Sequence, residues 1–201
     1  VGRIVPIKNH RLLLSGIKNL KGKTTKKFVA LIVGDGEDRM KLQNEAEAMG
    51  LSCSFEDCSN NFDLSLKPKS QHKNDVNIIF TSWIREVDIV YAGLDIVALT
   101  SFNEGTPVSL IEAQASSKPV ISTNVGGIEN VVVNGVTGLL TEVSVISFSN
   151  KLLSLVNNDM QRLTFGRNGA KSVYGKYNYT RLVEETRLLY HKLLGTKKKG
   201  D

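Results

Sequence analysis

The sequence predicts an α/β fold, a doubly wound parallel sheet with helices on both faces and a group of helices at the C-terminal end. Strand-like and helix-like patterns alternate along the first 140 or so positions, as a parallel sheet with crossover helices requires. The strand-like segments are continuous apolar runs, the pattern of strands buried on both faces. Glycine-bearing turns fall at the carboxyl ends of those runs.

The elements follow in order. Residues 8–20 place Leu12, Leu13, Ile17 and Leu20 at helical spacing. Residues 28–33 form an apolar strand ended by Gly34, and the charged helix at 37–49 stops at Gly50. Residues 76–80 read as a strand, 87–92 as a short helix and 94–99 as a strand. A helix at 107–117, a strand at 120–122, a helix at 127–134 and a short strand at 138–140 complete the alternation. Residues 146–194 read as helices broken near Asn157 and Gly175. Residues 52–75, rich in Ser, Asn, Asp and Lys, read as an irregular insertion.

With 201 residues, the chain suits one domain, here spanning 1–194, followed by a basic tail at 195–201. A hydrophobic content of 41% and a charged content of 23% are those of a soluble globular protein. No apolar run reaches the ~20 residues of a membrane span, and no signal peptide opens the chain. Cys53 and Cys58 lie in a polar stretch without neighbouring histidines, so neither a zinc site nor a disulfide is expected and a reducing cytoplasm is. The net charge of +6 lies partly in Lys197–Lys199 and partly in Lys21, Lys23, Lys26 and Lys27. It suits contact with an anionic lipid surface. It lacks the interleaved aromatics of single-strand binders, so no nucleic acid is expected.

The most informative segment is 101–113. Glu104 and Glu112 are separated by seven residues, with Gly105, Thr106, Pro107 and Val108 just after the first. Gly105 permits close backbone approach to a ligand. Pro107 suits the first turn of a helix, whose free N–H groups and dipole attract an anion such as a diphosphate. Glu104 before the helix and Glu112 inside it could each accept hydrogen bonds from hydroxyls. A diphosphate between two hydroxyl-bearing ends describes a nucleotide sugar. Ligands of such sheets bind beyond the carboxyl ends of the strands, where residues 2–8, 34–36, 82–85 and 101–107 fall. Gly34 and Gly36 lack the third glycine of a dinucleotide fingerprint, since Arg39 stands there; they read as a turn with Asp35 as a helix cap.

These residues resemble a known family. Glu104 to Glu112, Val1-Gly2-Arg3 with Lys8, Val33 to Gly36, Lys118 to Ile121 with Gly126-Gly127, and Asn134-Gly135 with Thr137 to Leu140 occur in the order seen in the retaining glycosyltransferases of family 4. The resemblance covers residues 1–194. It implies the Rossmann-like C-terminal half of a GT-B enzyme, the half that binds a nucleotide-diphosphate sugar, with a UDP-sugar favoured over a GDP-sugar. It implies an acceptor-binding domain preceding this chain, whose opening lies where a first strand should already be ending. By resemblance, Arg3, Lys8 and Glu104 are catalytic. Arg3 and Lys8 grip the diphosphate and Glu104 binds the donor sugar. Gly2, Gly105, Thr106, Pro107 and Val108 frame the diphosphate, Glu112 binds the ribose, and Ser82, Trp83 and Ile84 border the base. Trp83 fits core packing equally well. No Asp-x-Asp pair occurs, so no metal or other cofactor is implied. The place of action implied is the cytoplasm, with the inner face of the membrane as a possible station. A GT-B epimerase and a non-catalytic nucleotide-sugar-binding module share the pattern. The sequence departs from the family at Ser117, where Gly is frequent, and at Glu129-Asn130, where Pro-Glu is frequent.

Overall fold

The structure, a computed structural model, describes residues 1–58 and 77–196. Two parallel three-stranded sheets form its frame. In the first, β1 (Ala30–Ile32), β2 (Cys53–Glu56) and β3 (Ile78–Thr81) lie in the order β1-β3-β2, with Leu31 and Ser54 both level with Ile79. In the second, β4 (Val97–Leu99), β5 (Val120–Thr123) and β6 (Gly138–Thr141) lie in the order β4-β5-β6, with Ala98 and Leu139 level with Ile121. The α/β class with parallel strands is as the sequence predicts. Among the described residues, however, no strand joins β1 to β4. A cavity of about 290 Å³ lies between these two edges, lined by both strands together with Leu13, Ile17, Leu152 and Val156.

A 3-10 turn at Pro6–Lys8 leads into α1 (His10–Leu20). Then come α2 (Arg39–Ala48), α3 (Val87–Gly93), α4 (Val108–Ala115), α5 (Val145–Asn157), α6 (Asp159–Lys176) and α7 (Tyr179–Thr196). Local chemistry explains their ends. Gly50, with φ +77°, closes α2, as its position in the sequence suggests. Ser144 Oγ accepts from Ser147 N–H at the start of α5, and Asn158 Oδ1 accepts from Gln161 N–H at the start of α6.

Helix α1 ties the two sheets together. Leu14 and Ile17 pack with Ile32, Ile78 and Phe80 of the first sheet. Leu12 and Leu20 pack with Ile121 of the second and with Phe148, Leu152 and Leu155 of α5. The contact with α5 is so close that a Cβ at Gly16 would lie 2.6 Å from the Phe148 ring. Helix α7 lies outside these clusters, with Leu182, Leu189, Tyr190 and Leu193 exposed. No described helix is long and apolar enough to cross a membrane.

Four details differ from the sequence reading. Residues 53–56, inside the expected irregular insertion, form an edge strand; its four residues are too few and too polar to show a period. The rest of that insertion lies mainly outside the described residues. The expected helix at 127–134 is a 3-10 turn, Gly126–Asn130. The break expected at Gly175 falls at Tyr177 and Asn178, and Gly175 stays within α6. Asp35 does not cap α2; its Oδ1 accepts from Gly36 N–H at 2.8 Å and from Arg39 Nε–H at 2.9 Å.

Candidate active site

The opening residues run on past the end of β1. Gly2 N–H donates to Val33 O and Ile4 N–H to Asp35 O, each at 2.9 Å. A Cβ at Gly34 would lie 2.0 Å from Gly2 O, and one at Gly36 would lie 2.2 Å from Ile4 O. These two glycines therefore seat the opening segment, with Gly34 at φ +129°. Gly2, Arg3 and Lys8 line the cavity between the sheets, and Arg3 is exposed.

The loop after β4 meets this segment from the other sheet. Phe102 N–H donates to Ile7 O at 2.9 Å, and Thr100 Oγ1 donates to Lys8 O at 3.1 Å. Lys8 Nζ and Glu104 Oε1 then pair at 2.5 Å, half-shielded from solvent. Ser101 Oγ donates to the same carboxylate oxygen at 2.5 Å, and Thr123 Oγ1 donates to Ser101 O at 2.7 Å. The loop rests on Gly126 and Gly127. Gly127 N–H donates to Glu104 O at 2.8 Å, and a Cβ on either glycine would lie within about 2 Å of a loop carbonyl. The Cα of Gly105 faces open space.

Pro107, with φ −77° and ψ 94°, stands one residue before α4 instead of inside its first turn. Its carbonyl accepts from Leu110 N–H at 3.0 Å. No side chain caps α4 and no acidic residue lies in its first turn, so the dipole there is left to attract an anion. Thr106 and Val108 are exposed beside it, while Pro107 is buried. One turn on, Glu112 is partly buried and its Oε2 accepts from Tyr91 Oη–H at 3.0 Å. Burial, then the Glu112 charge and that hydrogen bond, push the Tyr91 phenol well above its ordinary pKa.

Residues 82–84 follow β3. Ser82 and Ile84 are buried, and Ile84 packs with Val33 and with Val90 of α3. Trp83 is 49% exposed, so the core-packing reading of this residue fails. His10, at the start of α1, lines the same cavity. Burial first, with Lys8 adding to it, lowers its pKa to about 4, against a smaller opposing effect of Asp38.

The structure thus joins Lys8 directly to Glu104 and sets Glu112 farther along the helix that follows. Three contributors escape the sequence reading. The Ser101 hydroxyl and the Gly126-Gly127 support sit within motifs that the sequence displays, and their spacing could have suggested a role. Tyr91 carries no signal, because a tyrosine on a short apolar helix reads as core. Among the described residues, no group of three His, Cys, Asp or Glu side chains could hold a metal ion.

Comparison with known proteins bears on the fold and the family. An uncharacterized glycosyltransferase of Methanocaldococcus jannaschii is 28% identical over 194 residues, which is 96% of this chain and 47% of the relative. The chain spans about half or less of the length of the curated relatives it matches. The C-terminal domain of the glycosyl transferase group 1 protein LpcC from Francisella tularensis superposes with a TM-score of 0.70 at 25% identity, covering 89% of this chain and 84% of that one. HepE from Anabaena, solved in complex with UDP, superposes with a TM-score of 0.75 at 18% identity over 95% of this chain and 47% of its own. The architecture is that of the C-terminal domains of GT-B glycosyltransferases. The family model described as glycosyl transferases group 1 matches residues 1–158, and the chain belongs to that family.

Proposed function

We propose that this chain is the donor-binding half of a retaining glycosyltransferase of family 4, which moves a sugar from a nucleotide diphosphate to an acceptor. The observation that carries this reading is the juxtaposition of Lys8, Glu104 and the uncapped start of α4. A cation, a hydroxyl acceptor and a helix N-terminus in one place are the donors and acceptors that a sugar diphosphate needs.

In this reading, the diphosphate sits at the start of α4, and Arg3 and Lys8 neutralise the charge that grows on it as the glycosidic bond breaks. Stabilising charge as it develops is commonly what lowers an enzymatic barrier most. Gly2, Gly105, Thr106 and Val108 border the diphosphate, while Pro107, having no N–H, only shapes the turn. Glu112 accepts from the ribose, Glu104 accepts from the donor sugar, and Ser82, Trp83 and Ile84 border the base. The solved neighbour HepE holds UDP, which favours a UDP-sugar here too. The acceptor is bound by another domain of the same enzyme.

A thermal-shift panel of UDP, GDP, ADP and their sugars tests this. One nucleoside diphosphate should stabilise the chain, by about 2.7 kcal/mol at a hundred times Kd. EDTA should leave the shift intact. The absence of any shift, or its loss with EDTA, would overturn the proposal.

A further inference from the structure

The role of Glu112 has a physical requirement. A glutamate on a helix surface has three rotatable bonds, and a carboxylate that reads ribose must hold one orientation. The partner that can hold it is Tyr91. Its side chain is 1% exposed and is packed in the core with Val97, Leu110 and Ala113, so its ring has little freedom. Its hydroxyl is the one polar atom of that side chain and needs a partner. The partner lies on the next helix, at the Oε2 of Glu112, 3.0 Å away.

We propose that Tyr91 is a positioning residue for the donor nucleotide: its core-anchored hydroxyl fixes Oε2 of Glu112 and leaves Oε1 to accept from a ribose hydroxyl. This inference rests on the reading of Glu112 as the ribose ligand. The phenol is suited to the task because it stays protonated. Its environment raises its pKa, so it stays a donor. Among the described residues, the Glu112 side chain makes this single hydrogen bond, so removing it frees the carboxylate to turn. Tyr91 itself lies outside the segment 101–113 that carries the sequence motif.

Calorimetry on this chain tests the assignment, using whichever of UDP, GDP and ADP binds most tightly, its 2′-deoxy form and inorganic pyrophosphate. Tyr91→Phe should weaken the ribonucleotide roughly five- to tenfold, less than the loss of a direct bond to a charged group, because Glu112 itself remains. It should narrow the preference for ribose over deoxyribose to within about twofold and leave pyrophosphate unchanged. A purely structural tyrosine would weaken all three ligands alike or none, and either result overturns the inference. Glu112→Gln separates the two levels. If it leaves the ribose preference at the wild-type value, Glu112 is not the ribose ligand and both readings fall. If it narrows the preference while Tyr91→Phe does not, the Tyr91 inference alone falls. Should Tyr91→Phe fail to fold, Glu112→Asp keeps the charge but withdraws it from the hydroxyl. The same narrowing is expected, and a wild-type ratio would overturn the inference. If no nucleotide binds, the proposed function and this inference fall together.

Discussion

At the scale of single residues, the ion pair between Lys8 and Glu104 sets up a competition. In the free protein the two groups satisfy one another, with Ser101 as a third partner. In the proposed reading, a bound diphosphate draws Lys8 away from Glu104. Glu104→Gln should therefore tighten the binding of a plain nucleoside diphosphate a few-fold while weakening the nucleotide sugar, and calorimetry with the two ligands reads the split. Equal losses for both would contradict it. Lys8→Ala and Arg3→Ala should each cost about 1.5–3 kcal/mol of diphosphate binding, the range for hydrogen bonds to charged groups. That loss should shrink as salt is raised, since part of the attraction is screened. Loss of free-nucleoside binding to the same degree would count against a diphosphate role. The two glutamates are legible in the sequence because a glycine, a proline and a helical pattern frame them. Tyr91 is not, because a hydroxyl that orients a neighbour from the core leaves no period and no charge.

At the scale of elements, the end of α4 shows how a local departure can be read physically. Ser117 has φ +57°, the left-handed region. Its N–H donates to Gln114 O and Lys118 N–H donates to Ala113 O, the bond pair of a Schellman motif. Glycine takes that backbone shape without the cost borne by a side chain. Ser117→Gly should then raise stability by about 0.5–1 kcal/mol, seen as a higher melting temperature, and a lower one would refute it. The start of α1 makes a second prediction. The folded His10 pKa, about 4, lies below the ordinary 6.5. The folded state keeps this imidazole neutral while the unfolded chain takes up a proton. Its stabilising contribution is full above pH 6.5 and is lost as pH falls toward 4. Melting between pH 7 and 5 should therefore drop more steeply for the wild type than for His10→Gln; parallel slopes would rule this out. Element types are largely legible, since apolar runs and helical spacing report burial directly. β2 is not, because a four-residue edge strand half in solvent has no such run.

At the scale of the whole molecule, α1 and α5 weld two sheets that share no strand among the described residues. Phe148, fully buried, is the centre of that weld. Phe148→Ala should cost about 3–5 kcal/mol, the range for removing a buried aromatic ring. Because α1 packs on both sheets, the chain should still melt in one transition, lowered by roughly 6–20 °C. Two separate transitions in calorimetry would show that the weld does not couple the halves. The alternation of elements announces the overall class. It cannot announce the division into two sheets, since pairing between strands distant in sequence depends on contacts that no local pattern encodes.

The loop at 101–105 is fastened by its main chain and by the glycines beneath it, while Phe102, Asn103 and, just beyond, Thr106 face solvent. Its course is thus independent of what the Phe102 and Thr106 side chains are, while Asn103 Oδ1 lies over Gly126. Exposed substitutions of this kind usually change stability by no more than about 0.5 kcal/mol. A lineage carrying this frame can therefore alter the face that this loop presents one residue at a time, without passing through unfolded ancestors.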